Sequence, residues 1–301
     1  NTIMKSKLLL WLRAMRVSFF SASIIPVIVG ISTANHLGCR NTWLSAAALL
    51  GVLFLHASSN LANDYFDDLN GSDRNNAVIS PFSGGSRVIQ DGLLTGRQMG
   101  IAALICLVCG CIIGLVLAFM RGWPVLLIGF LGVLAGYLYS APPVWLASKG
   151  LGEATTGFCF GPLIVLGTHY VIAQSFSWLP LIASLPVGFL ITGVLYLNEF
   201  PDEVADTRSG KRNLIVRLGC KRSKNAFGYI VLLTYLSIVV GILSGVLPHW
   251  VSLCMVTAPL GWRTWRKLKR SDSSHLTQVC AENIINHIVT GLLLAISIWI
   301  G

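Results

Sequence analysis

The chain has 301 residues, of which 54% are hydrophobic and only 11% charged, and its formal net charge is +10. A soluble domain carries about a quarter charged residues and lacks apolar runs near membrane-spanning length, so the composition excludes one and predicts an all-α polytopic membrane protein. The cysteines do not form a disulfide framework. Cys106, Cys109, Cys111, Cys159 and Cys254 fall inside apolar spans, where a free thiol behaves as a small hydrophobe, and no second Cys pair or nearby His completes a zinc site.

Nine transmembrane helices are predicted in chain order, at residues 17–34, 43–63, 98–119, 123–141, 152–172, 178–198, 226–246, 248–264 and 283–300. The apolar stretch after Arg16 is long and lacks a small-residue cleavage site, so it reads as a span and not as a signal peptide. The chain starts at Asn1, which leaves room for a leader before it. With the N-terminus inside, twenty of the 22 Lys and Arg residues face the inner side, and only Arg40 and Arg121 face out. Such asymmetry fixes topology, because basic residues are retained on the cytoplasmic side. The positive charge is therefore topological and lipid-directed; no nucleic-acid-binding motif accompanies it. Lys221, Arg222 and Lys224, with the Arg263–Arg270 run, read as anchors to lipid headgroups. Residues 1–301 form one membrane domain, because every connection is short except the inner loops near 64–97, 199–225 and 265–282.

Nine of the twelve acidic residues sit in two clusters at the inner ends of apolar stretches. The first comprises Asp64, Asp67, Asp68, Asp73 and Asp91, and the second Glu199, Asp202, Glu203 and Asp206. Each contains Asn-x3-Asp-x3-Asp, as Asn60/Asp64/Asp68 and Asn198/Asp202/Asp206, a spacing that stacks side chains along one helix face. Like charges so arranged need a cation between them, and hard oxygen donors suit Mg²⁺, which shares its shell with substrate phosphates. Taken singly, Asp73 and Asp91 read as solvated helix ends. Carboxylates at a membrane edge are tolerated where they face a cavity, so the clusters are predicted to oppose each other across a central one. Arg74 and Arg87 in the first loop, and Lys211 and Arg212 in the second, would take the remaining oxygens of a diphosphate whose apolar tail runs into the bilayer. The loop Ser83-Gly84-Gly85-Ser86-Arg87 reads either as a phosphate-cradling lid or as an ordinary loop. His56, one turn before Asn60, reads as a polar residue satisfied within the bundle.

The stretch Asn63-Asp-Tyr-Phe-Asp67-Asp68-Leu-Asn-Gly71-Ser-Asp73 resembles the Asn-Asp-x-x-Asp signature of the UbiA superfamily of intramembrane prenyltransferases. Its form is similar to that of the 1,4-dihydroxy-2-naphthoate polyprenyltransferase branch of menaquinone biosynthesis. Asp202-x3-Asp206-x3-Gly210-Lys211-Arg212, followed by Val216-Arg217-Leu-Gly219, resembles the family's second motif. Tyr139-Ser-Ala-Pro-Pro143 and Lys149-Gly-Leu-Gly152-Glu153 resemble the segment between the two. Asn198-Glu199 departs from the paired Asn of the naphthoate branch. The resemblance implies nine helices around a central cavity in a bacterial inner membrane. It also implies Mg²⁺-dependent prenyl transfer from a prenyl diphosphate to an aromatic quinone precursor. Asn60, Asn63, Asp64 and Asp67 would form the first metal–diphosphate site, with Asp68 in an ambiguous position, and Asp202 and Asp206 the second. Tyr139 would steady the allylic cation or hold the acceptor, and Lys149 would bind diphosphate or an acidic acceptor. Two further readings compete: a membrane terpene cyclase on the same scaffold, and a cation-coupled transporter, whose site belongs nearer the bilayer midplane.

Overall fold

The computed structural model describes residues 2–70, 85–271 and 276–301, and among them it is helical with no strand. Arg74, Asp73, Ser83 and Gly84 lie outside the described residues. The helices are α1 (Thr2–Ala14), α2 (Ser21–His36), α3 (Thr42–Asn70), α4 (Gly96–Arg121), α5 (Trp123–Ser140), α6 (Gly152–Phe158), α7 (Ile164–Ala173), α8 (Trp178–Asn198), α9 (Glu203–Ser209), α10 (Leu214–Leu218), α11 (Cys220–Leu243), α12 (Ala258–Arg270) and α13 (Leu276–Ile300). Among the described residues, eight helical stretches are long and apolar enough to cross a membrane. The stretch predicted as a ninth span at 248–264 is helical too, as a 3₁₀ segment, His249–Thr257, running into α12. Five basic residues in α12 confine its apolar part to the first turns. All eight cysteines are free.

Local chemistry sets the helix ends. Asn41 Oδ1 accepts the Leu44 N–H at 3.0 Å and starts α3. Thr95 and Gln98 form a reciprocal capping box that starts α4, with the Gln98 N–H on Thr95 Oγ1 and the Thr95 N–H on Gln98 Oε1. The α4–α5 corner turns at Gly122, at φ 100°, with Pro124 in the first turn of α5.

Around the bundle, α3 packs on α4, α4 on α5, and α5 on α7, while α8 packs on α11 and α13. Helix α2 touches α3, α7, α8 and α13 and joins the two halves. A close backbone approach lies between the 159–163 π-helical turn and α8: a Cβ added to Gly161 would stand 2.7 Å from Gly188 Cα and 2.9 Å from Gly188 N. The core of buried apolar side chains lies on the α8, α11 and α13 side, around Phe227, Ile238, Leu294 and Ile298. The α3, α4 and α5 side is hollow.

Candidate active site

A cavity of about 840 Å³ opens among α2, α3, α5, the 152–173 stretch and α8. Its wall is polar at one end, where Asn60, Asn63, Asp67, Asn198, Asp202 and Asp206 meet, and apolar along the rest, past Ile128, Val133, Phe160 and Leu163 toward Ala48, Leu117 and Val125. Asp67 and Ala48 are nineteen residues apart on α3, so the hollow extends about 28 Å along that helix. An anionic head and a long apolar tail match these two ends.

Helix register decides which carboxylates of the first cluster face inward. Seven residues are close to two helical turns, so Asn60 and Asp67 share a face. Asp68 is rotated about 100° from Asp67, and its Oδ2 lies 3.7 Å from where a Cβ on Gly96 of α4 would stand. Asp68 is not on the cavity wall. Asp64, 2% exposed, is turned to the side. There it takes hydrogen bonds from Arg16, from Ser86 Oγ, and at 3.1 Å from the Ser86 N–H. Asn63 Nδ2 donates to Ser140 Oγ at 3.2 Å, and Asn60 Nδ2 to the Met15 carbonyl at 3.0 Å.

The second cluster is held by its own turn. Gly210, at φ 79°, ends α9 and lets the chain fold back, so that the Lys211 N–H bonds the Asp206 carbonyl at 2.9 Å. Lys211 Nζ then lies 3.6 Å from Asp206 Oδ1, and Asn213 Nδ2 donates to Asp206 Oδ2 at 2.8 Å while Asn213 Oδ1 caps α10. Burial lifts the Asp206 carboxyl to about 6, with Lys211 opposing the rise and Asp202 adding to it. Burial pulls the Lys211 ammonium down, but Asp67 and Asp206 outweigh it and leave the group firmly protonated.

Two residues that the spacing argument passed over belong here. Arg16 lines the cavity and is ion-paired to Asp64; in the sequence it is one more inner-face cation. Glu153 is buried, and its Oε1 accepts the Leu214 N–H at 2.8 Å, pinning the second motif's turn to α6. Its carboxyl also lies near that of Glu199, which lines the cavity. Burial first, and Glu153 second, raise Glu199 well above the usual carboxylate range.

Tyr139 and Arg87 also line the cavity. Lys149 and Arg212 do not; both side chains are exposed, and Arg212 contributes through its backbone, which bonds the Ser148 carbonyl and the Arg217 side chain. His56 faces the cavity between Phe20 and Phe160, with Nδ1 2.7 Å from Ser23 Oγ.

The donor set suits a hard cation carried in with a phosphate. Among the described residues, no three His, Cys, Asp or Glu side chains close into a metal cage by themselves. Carboxylates and amides ring the polar end instead, leaving coordination positions for phosphate oxygens, as Mg²⁺ sites do.

The fold is thus a helical membrane bundle with acidic motifs from two segments at one end of an apolar hollow. Residues 23–298 match the UbiA prenyltransferase family, and the chain belongs to it. It is 31% identical over 256 residues to the 1,4-dihydroxy-2-naphthoate octaprenyltransferase of Mycobacterium tuberculosis, covering 84% of each chain. Its fold is similar to that of a digeranylgeranylglyceryl phosphate synthase, with TM-score 0.68 and 20% identity over 98% of this chain and 100% of that one. It is also similar to a UbiA homolog from Archaeoglobus fulgidus bound to DMAPP and Mg²⁺, with TM-score 0.60 and 17% identity over 95% and 98% of the two chains. The protein is a prenyltransferase of this family.

Proposed function

We propose that the chain transfers a polyprenyl group from its diphosphate to 1,4-dihydroxy-2-naphthoate or a close aromatic relative, in a Mg²⁺-dependent step of menaquinone synthesis. The reaction centre would face the cytoplasm of a bacterial inner membrane, and residues 1–301 would act as one unit. The observation that carries this reading is the shared cavity end where Asp67 of α3 meets Asp202, Asp206 and Lys211, with an apolar hollow beneath. The naphthoate octaprenyltransferase relative supports the acceptor, and the fold neighbour bound to DMAPP and Mg²⁺ supports the donor and the metal.

Asp67, Asp202 and Asp206 would hold Mg²⁺, with Asn60, Asn63 and Asn198 completing the polar ring. Bound Mg²⁺ would neutralise the diphosphate and make it a better leaving group. Lys211 and Arg87 line the same space and supply positive charge to the departing oxygens, and Arg16 joins them if its bond to Asp64 loosens. Asp64, Asp68, Lys149 and Arg212 then fall outside direct contact and would act on the site's shape and charge. The Tyr139 ring faces the cavity and would steady the allylic carbon as its C–O bond lengthens. The carboxylate-bearing ring carbon of the acceptor would attack that carbon as the bond to the diphosphate oxygen breaks, and the carboxylate would leave as carbon dioxide, its bonding electrons restoring the aromatic ring.

The test is to incubate lipid-reconstituted protein with Mg²⁺, C10 to C45 prenyl diphosphates and a panel of aromatic acceptors, and to identify products by mass. A prenylated, decarboxylated naphthol product is expected. Hydrocarbon released without acceptor would replace this reading with a cyclase, and no turnover with any acceptor would remove it.

A further inference from the structure

A second hollow, of about 360 Å³, lies on α12 between Trp262, Trp265, Arg266, Lys269 and Arg270. Its position relative to the membrane follows from contacts with α11. Trp265 Nε1 donates to the Lys224 carbonyl at 2.9 Å, and Lys224 Nζ to the Ser271 carbonyl at 2.9 Å. The C-terminal end of α12 therefore lies beside the start of α11 at Cys220, on the same membrane face as Lys211 and the second acidic motif. Lys221 and Arg222, exposed in the first turn of α11, add charge to this corner.

The cations of α12 divide into two sets. Arg263 and Lys267 reach Glu282 of α13 and are neutralised within the fold. Arg266, Lys269 and Arg270 are exposed and pair with no acidic side chain among the described residues. Lys269 is held over the Trp265 ring at 4.1 Å, and Trp265 meets Trp262 edge to face at 4.6 Å between centroids. An ammonium fixed over an indole, with two guanidinium groups beside it, forms a rigid anion cradle. Trp262, 54% exposed, is the kind of ring that sits at headgroup level in a bilayer.

We propose that this hollow is a binding site for an anionic phospholipid, with the headgroup phosphate between Arg266, Lys269 and Arg270 and the glycerol and upper acyl chain against the two indoles. A lipid is the fitting occupant because the polar cradle is continuous with an exposed aromatic surface on a chain that spans the bilayer. The site is separate from the prenyl-transfer cavity, with which it shares no lining residue.

Native mass spectrometry of the delipidated full-length chain, titrated separately with phosphatidylglycerol and phosphatidylcholine of the same acyl chains, tests it. The wild type should retain phosphatidylglycerol at about tenfold lower concentration than phosphatidylcholine. R266Q/K269Q/R270Q should lose that preference, with prenyl transfer in phosphatidylcholine vesicles unchanged. The single variant R270Q, at the exposed helix end, should lose part of it and covers the case of a triple variant that does not fold. An R97Q control, on another inner-face helix end, should keep the full preference. A wild type without preference would overturn the proposal. Equal loss in the R97Q control would reduce it to diffuse charge attraction, and release of the lipid by inorganic phosphate would make this a soluble-anion site.

Discussion

Replacing Arg16 with Met isolates the ion pair beside the reaction cavity. Asp64 is almost fully buried, while Arg16 is 21% exposed. Removing one partner of a buried pair costs about 3–5 kcal/mol, because the other charge stays desolvated and uncompensated. Asp64 keeps two hydrogen bonds from Ser86, and Arg16 is partly hydrated, so the expected loss falls to or below the lower end of that range, about 2–3 kcal/mol. For a chain of this size, that lowers the melting temperature by roughly 3–5 °C. Asp64→Asn should cost less, because the Arg16 guanidinium opens to the cavity. The double variant should be nearly as stable as Asp64→Asn alone, with a coupling energy of about 2 kcal/mol. The assay is a thermal-unfolding series of the four proteins in one detergent. Additive losses, or an Arg16→Met protein that melts with the wild type, would refute the argument that Asp64 is a buried charge held by Arg16.

Gly132 lines the apolar part of the cavity, and nothing lies within 4 Å of a Cβ added there. Gly132→Phe should therefore fill the hollow, raising KM for C40 prenyl diphosphate while leaving C10 turnover near wild type; equal effects on both donors would place the tail elsewhere. At Gly161 the added Cβ strikes the Gly188 backbone, so Gly161→Leu should lose at least about 2 kcal/mol and lower expression in membranes, and a wild-type melting curve would contradict the close approach. In the proposed site Mg²⁺ and protons would compete for Asp206, so the Mg²⁺ concentration for half-maximal activity should rise as pH falls through about 6, by up to about tenfold per unit below it. Without metal the sign reverses. The Asp206 carboxyl is raised above its unfolded value, so its contribution to stability is complete below the unfolded pKa and is lost as pH rises through about 6. A half-saturation point that is flat from pH 7.5 to 5 would remove Asp206 from the metal shell.

The helical class and the two acidic motifs were legible because apolar runs and carboxylates at their ends leave strong local signals. The choice between Asp67 and Asp68 was not, since spacing alone fits both: Asp68 repeats the Asn-x3-Asp-x3-Asp pattern, whereas Asp67 completes two turns from Asn60. Only the way α3 packs against α4 settles which one faces the hollow. Arg16 was hidden because topology already accounts for a basic residue at the start of a span. Glu153 and Glu199, 46 positions apart, meet only when α6 packs against α8. The stretch at 248–264 is apolar enough to read as a span, yet its helix continues as amphipathic, Arg- and Lys-rich α12.

The central claim is that carboxylates of α3 and of the 202–206 turn act together on one diphosphate. Single-turnover release of diphosphate from a labelled prenyl diphosphate, in bilayers with saturating acceptor and Mg²⁺, should fall at least about a thousandfold in both Asp67→Ala and Asp202→Ala. The double variant should lose little beyond either single one, with all three proteins melting near the wild type. Release at the wild-type rate in either single variant would contradict the claim.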